Sequence, residues 1–406
     1  VIRLFLGVAL GVGALIFMGM LLVGGDLPSR GLLGLGAGVF LVQGLFELTV
    51  ERERSMLSPF RYGLNVGAKS IGGLLVGAGL AAAGLGAVGL LIGQVVAMLI
   101  PLVAFGGISL WISVLRDRYD PALARAFLRY GLPLAATAAL GFVTSSSDRF
   151  MLAAYFNQAM AGRYAVGYDL AQFTLGMLLS VVNLAAYPLV VAALEKHGRV
   201  AAQQHLRLVL QLLLAVGVPA TAGIGILSNN LAVVMVGAEF RETTATVVPW
   251  IAASALVAGL KAFYFDLAFQ LGRSTITQLW IVLVTAAANV ALNAWMIPRI
   301  GILGAVYATL AAYCVALILS LVLGRRVFPV PLATRTALPI IFATALMVAA
   351  LVPLRTWLGP AALLVQIAVG VVVYGTTLLL IDRNFLSNLA KLESPEPDQQ
   401  VAVDMD

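Results

Sequence analysis

Twelve apolar runs, each long enough to cross a bilayer, follow one another along this 406-residue chain: 4–24, 31–50, 62–82, 86–115, 130–156, 162–193, 206–228, 246–270, 275–297, 302–323, 336–356 and 361–381. A spanning helix needs about 20 mostly apolar residues. In hydrocarbon every backbone N–H and C=O must be bonded internally, so helices are the element these runs can form. Composition agrees. The chain is 61% apolar and 11% charged, against about 25% charged in a soluble domain. The expectation is an all-α polytopic membrane protein with about twelve transmembrane helices.

The connections between runs alternate in charge. With residue 1 in the cytoplasm, only Arg30, Arg163, Arg241, Arg299 and Arg355 lie outside, and Arg149 and Lys261 lie within spans. The other Lys and Arg residues fall inside, so the positive-inside rule puts both termini in the cytoplasm. The net charge of +7 is then explained by topology. No separate basic domain is present, and no nucleic-acid partner is expected. One cysteine, Cys314, lies within an apolar run, which excludes an internal disulfide and a multi-cysteine metal site. The first run has Arg3 ahead of it like a signal peptide, but it is too long and eleven more runs follow. The acidic end after Leu392 reads as a disordered cytoplasmic tail, 386–406.

A weak internal repeat organises the runs. Setting Arg3 against Arg207 also pairs Leu4 with Leu208, Leu10 with Leu214 and Gly13 with Gly217, and residues 85–88 match residues 303–306 as Leu-Gly-Ala-Val. Parallel repeats of this kind build many transporters. Two runs precede the second copy and none precedes the first, and the chain begins with Val. The expectation is therefore a parent of fourteen spans whose first two are absent here. Its parts would be a partial N-terminal lobe of four helices (1–120), a C-terminal lobe of six (121–327) and an extra helix pair (328–385).

Several motifs carry no chemistry in this setting. Gly84, Gly86 and Gly89 fit GxGxxG, but no strand precedes them and no suitable acidic residue follows, so close helix packing explains them better. Gly63 to Ser70 has the wrong spacing for a phosphate loop. His197 and His205 fit a solvated loop better than a metal site. No nucleophile–base–acid arrangement is visible, so neither an enzyme nor a cofactor is expected.

The ionisable groups inside the runs are more informative, because a charge near the bilayer centre costs at least about 2.5–3.5 kcal/mol on insertion scales. Asp148 and Arg149 stand in run 130–156, Asp169 lies at similar height on the next run, and Lys261 and Lys69 lie lower, with Asp266 near the inner end of its span. Two roles compete. Arg149 could pair with Asp169, and Lys261 could snorkel or pair with Asp266 across helices, all as packing glue. Alternatively, cations at several depths could line a path for an anionic group. Asp148 and Arg149 sit about 100° apart on a helix, so both cannot face one partner. Asn289 and Asn293 share a face at i, i+4, as do Asp169 and Gln172 at i, i+3. They could line a wet cavity or bond across helices. Tyr164, Tyr168, Tyr264, Tyr307 and Trp295 could stack on sugars or anchor span ends.

Three segments carry a family resemblance: Phe127 to Pro133, Ser146-Ser147-Asp148-Arg149 to Tyr155, and Ala161-Gly162-Arg163-Tyr164. With Pro298 to Thr309 they resemble the Wzx-like oligosaccharide flippases of polysaccharide biosynthesis, in the superfamily that includes multidrug extruders and lipid II flippases. The resemblance follows the whole chain in span order. It departs where Ala153-Ala154-Tyr155-Phe156 lacks the usual Gly, and in the missing first helix pair. It implies two lobes forming a V around a cationic cavity. It implies movement of an isoprenoid-diphosphate-linked oligosaccharide across the cytoplasmic membrane of a bacterium or archaeon by alternating access, with H+ or Na+ as coupling ion. Implied partners are membrane lipids and the polysaccharide polymerase machinery. The substrate-site candidates are Arg149, Lys261, Lys69, Asp148, Asp169, Asn289 and Asn293. The alternative is a cation-coupled multidrug or metabolite exporter on the same scaffold.

Overall fold

The computed structural model describes residues 27–56, 58–104, 121–272, 274–332 and 334–382, together with Gly7, Gly11 and Gly13. Apart from those three glycines, the first expected span lies outside the described residues, as do 105–120 and the tail 386–406. Helices cover the described parts of every other expected span, and no strand occurs among the described residues. Eight helical segments among them are long and apolar enough to cross a membrane, and two of these, Phe60–Ala104 and Gln158–Ile226, are each interrupted by a glycine outside helical geometry. The chain divides into two compact units, Val1–Pro133 and Leu134–Asp406.

The first unit contains α1 (Leu27–Ser55), α2 (Pro59–Leu80) and α3 (Gly86–Ala104). A π-helical turn, Ala81–Leu85, folds α2 back onto α3, and Gly84 and Gly86 take positive φ values of 98° and 51° there. Lipid tails supply no hydrophobic drive between helices, so close backbone approach must hold such a pair. It does: a Cβ on Gly93 would stand 2.4 Å from the Gly77 backbone, and one on Gly89 would stand 2.8 Å from Leu80 and Ala81. The GxGxxG pattern is therefore a turn followed by a packing contact. Phe46 and Val50 of α1 bury against Met98 and Leu102 of α3.

α4 (Pro121–Tyr155) leads into the second unit. Asn157 then caps α5 (Gln158–Ile226), its side chain accepting from the Met160 N–H at 2.8 Å. The expected polar loop between spans 162–193 and 206–228 is helical on both sides. Only Gly198, at φ 80°, breaks α5. Residues such as Ala193, Leu194, Ala201 and Gln203 are good helix formers, so polarity alone does not open a loop there. His205 is used locally, with Nδ1 3.1 Å from the Ala201 carbonyl. After α5 come α6 (Ser228–Met235), α7 (Arg241–Leu260), a π-helical turn (Lys261–Phe265), α8 (Leu267–Leu271), α9 (Thr275–Ile300), α10 (Ile302–Val327), α11 (Thr334–Leu351) and α12 (Pro360–Ile381). α7 packs on α5 and α10, α9 pairs with α10, and the α11–α12 pair lies against α5 and α6. Three apolar clusters fill this unit, one of them joining Ala215 of α5 to Ile340, Ala343 and Leu378 of the α11–α12 pair. A second is built around Leu175, Leu206, Leu213 and Tyr264, and the third around Leu152, Tyr168, Ile251 and Val306.

Candidate functional site

The Ser147-Asp148-Arg149 stretch of α4 divides its side chains between two environments, as the 100° step of a helix requires. Asp148 points inward and is fully buried. Its carboxylate accepts from the Tyr164 hydroxyl of α5 and from the Arg149 backbone N–H at 2.8 Å. Ser147 donates to Asn289 Oδ1 of α9 at 2.8 Å. Asn293, one turn on, donates to the same oxygen at 3.0 Å and reaches Ser147 Oγ at 3.5 Å. Asn289 Nδ2 donates to Thr309 Oγ1 of α10 at 3.5 Å. Asn289 and Asn293 are both fully buried. Four helices thus meet at one polar node in an otherwise apolar interior.

Arg149 turns to a more open side. Its guanidinium engages both carboxylate oxygens of Asp169 on α5, Nη1 to Oδ2 at 3.4 Å and Nη2 to Oδ1 in a shorter contact, and lies 5.0 Å from the centroid of the Tyr168 ring. The two side chains remain 30% and 41% exposed. Arg149 Nε has no partner. This pair is accessible, while Asp148 is not.

Lys261 belongs to a different cluster. Its Nζ lies 2.6 Å from Asp266 Oδ2, and Asp266 also accepts from Ser320 of α10 at 2.8 Å and from Gln278 of α9 at 3.4 Å. Both members of the pair are buried. The partners stand five residues apart across the π-helical turn, so the pair closes within one segment and not across helices. Ser320 follows Thr309 by eleven residues, about 16 Å along α10 at 1.5 Å per residue, so the two clusters lie at different depths. Lys69 is on α2 in the first unit, 3.4 Å from Glu47 and 4.9 Å from the Phe46 ring centroid.

The structure therefore joins Asp148, Arg149, Asp169, Asn289 and Asn293, gives Lys261 a cluster of its own with Asp266, and pairs Lys69 with Glu47 inside the first unit. Ser147, Tyr164 and Thr309 complete the node. All three stand in the motif segments, but nothing in the sequence marks them as partners of the asparagines. Ser320 and Gln278 carry no signal at all. Among the described residues no group of three or more His, Cys, Asp or Glu could hold a metal ion. The node offers one carboxylate with amide and hydroxyl oxygens, and Asn293 Oδ1 is unpartnered. That donor set suits a proton or a monovalent cation, because a divalent hard cation usually takes more carboxylate charge.

The fold is similar to that of the lipid II flippase MurJ in its inward closed conformation. The TM-score is 0.71 over 94% of this chain and 82% of that one, at 15% sequence identity. No curated protein matches the sequence. Residues 39–245 match the polysaccharide biosynthesis protein family, from within α1 to the first turn of α7. With that match spanning 207 of its 406 residues, the chain belongs to the polysaccharide biosynthesis protein family.

Proposed function

We propose that this multi-pass membrane protein is a flippase that moves an isoprenoid-diphosphate-linked oligosaccharide across the cytoplasmic membrane for surface polysaccharide synthesis, by alternating access of two lobes. Family membership and the flippase-like fold support the general activity. The observation that carries the substrate class is the Arg149–Asp169 pair, a partly exposed guanidinium held in the membrane by a partly exposed acid. A planar guanidinium matches phosphate as well as carboxylate. Exchange of Asp169 for a substrate phosphate keeps the charge compensated throughout, which suits transient binding. Lys261, enclosed with Asp266, serves the fold. In this reading both termini are cytoplasmic, and the substrate's lipid tail stays in the bilayer.

Asp148 is the group whose charge a coupling ion, H+ or Na+, would cancel. It is buried, bonded to two donors and has no side-chain cation within the node. The Ser147, Asn289, Asn293 and Thr309 side chains would help hold Na+.

Export of surface glycan in cells tests this. Arg149→Ala should cut export at least tenfold at unchanged membrane protein level, and Arg149→Lys should keep more activity because charge remains while the bidentate fork is lost. Normal export by Arg149→Ala overturns the substrate contact. In reconstituted vesicles, a Na+ or a pH gradient should accelerate flipping of lipid-linked glycan by wild type and not by Asp148→Asn. A cation-coupled drug exporter would instead accumulate organic cations and leave glycan export untouched by Arg149→Ala.

A further inference from the structure

A cleft of about 760 Å³ opens in the second unit, away from the polar node, between the end of α5, the first turns of α6 and α7, and the loop that joins α11 to α12. Charge bias assigns this end of the helices to the outer face. Arg241 and Arg355 line it with Glu242, and Ser228, Asn229 and Thr356 add hydroxyl and amide groups. Among the described residues, none of the three charged side chains makes an ion pair. Arg241 Nε is anchored on the Val236 carbonyl at 3.5 Å, which leaves its terminal nitrogens for another partner.

The wall bearing Arg355 is fixed from behind. Asn230 and Gln366, both buried to about 1% exposure or less, bond each other at 2.7 Å. Asn230 Oδ1 accepts from the Gly359 N–H at 2.8 Å, and Gln366 donates to the Leu354 and Trp357 carbonyls at 2.7 and 3.0 Å. Two buried amides thus clamp the whole 354–359 turn, a cost in polar burial that a merely connecting loop does not require. The clamp holds Arg355 across from Arg241. Beside it Trp357 and Leu358 are more than half exposed, as interfacial anchors are.

We propose that this cleft binds the phosphodiester of a membrane phospholipid. Two guanidinium groups less one carboxylate leave a single positive charge, which one phosphodiester neutralises, whereas a diphosphate would carry more charge than the cleft offsets. The adjoining Trp357 and Leu358 would lie against the acyl chains. The site is separate from the Arg149–Asp169 pair and does not depend on the function assigned to it.

Native mass spectrometry of the delipidated full chain, offered phosphatidylglycerol, phosphatidylcholine or inorganic phosphate, tests this. Wild type should retain at least fivefold more phosphatidylglycerol than Arg241→Gln/Arg355→Gln, with Arg299→Gln, outside the cleft, behaving as wild type. Glu242→Gln should raise retention, because it removes the opposing charge. That arm stands even if the double variant fails to fold. Displacement of the lipid by millimolar phosphate would identify a free anion as the ligand and overturn the lipid assignment; no displacement supports it. Equal retention by the double variant, an equal loss in Arg299→Gln, or unchanged or lower retention in Glu242→Gln overturns the proposal.

Discussion

Replacing Asp148 by Asn should stabilise the protein when cations that fit the node are absent and destabilise it relative to wild type when they are present. Asp148 is fully buried. Removing an ion from water costs several kcal/mol even after relaxation. Against this stand two bonds to the charged form, from the Tyr164 hydroxyl and the Arg149 N–H, each contributing about 1.5–3 kcal/mol. Arg149 gives no direct guanidinium contact, since its guanidinium engages Asp169. The carboxylate is therefore roughly balanced or in deficit without an ion. Asn keeps the shape and one acceptor oxygen and carries no charge, so the variant should gain about 1–2 kcal/mol in that state. A ligand at a hundred times its Kd adds about 2.7 kcal/mol to the form that binds it. Wild type should therefore overtake the variant once Na+ is saturating, if Na+ is the ion. Thermal unfolding of purified protein in NaCl and in choline chloride at equal ionic strength measures both signs. A variant that melts well below wild type in choline, or that gains as much from Na+ as wild type does, refutes the assignment of Asp148 as the ion-responsive group.

Lys261→Ala should cost about 3–5 kcal/mol, because it strands Asp266 as a buried charge. Lys261→Met with Asp266→Leu should recover most of that loss in the same melting assay, with export per folded molecule preserved; loss of export in the folded double variant would return Lys261 to the substrate path. Asp169→Asn frees the Arg149 guanidinium, and should tighten binding of a soluble diphosphate by roughly tenfold, the effect of about 1.4 kcal/mol, while slowing turnover; unchanged affinity would show that Asp169 does not compete with substrate. For topology, with Cys314 replaced by Ala, a cysteine at position 160 should react with impermeant reagent from outside and one at position 197 only from inside, and the reverse pattern would invert the orientation.

The helices were legible because a bilayer imposes its thickness on every apolar run, and the runs from 31–50 to 361–381 coincide with helices wherever residues are described. The Asp148–Arg149 divergence followed from helical geometry alone, and the shared face of Asn289 and Asn293 followed from their spacing. The Arg149–Asp169 pair was among the pairings the sequence offered, but the rest of the tertiary pairing could not be read. Ser147, Tyr164 and Thr309 come from three different helices, and a hydroxyl among apolar neighbours more often bonds its own backbone, as Thr144, Thr221 and Thr285 do here. The π-helical turn at Lys261–Phe265 was equally hidden, because no residue type forces it. It brings Lys261 and Asp266 together within one segment, where the sequence set their pairing across helices. Gly198 shows the opposite case: a polar stretch read as loop is helix interrupted at one positive-φ residue, since local helix propensity there outweighs polarity.

Under the proposed function, the juxtaposition of Asp148 and Arg149 would give a physical route from ion to substrate. The two are consecutive, yet one is sealed within the helix cluster and the other is open with its acid partner. Opposite charges on neighbouring side chains attract each other more strongly inside a protein than in water. Neutralising Asp148 therefore removes attraction from the Arg149 side chain. Arg149 is then held by Asp169 alone and becomes more demanding of a second anion. Under the proposed function, substrate phosphate would supply one. Coupling free energies between sites commonly fall at about 1–3 kcal/mol. Coupling must be reciprocal: if the cation favours phosphate at Arg149, a bound phosphate favours the cation at Asp148. The Ser147–Asn289–Thr309 chain extends that response to α9 and α10, which gives occupancy of the node a direct mechanical connection to the packing of the second unit.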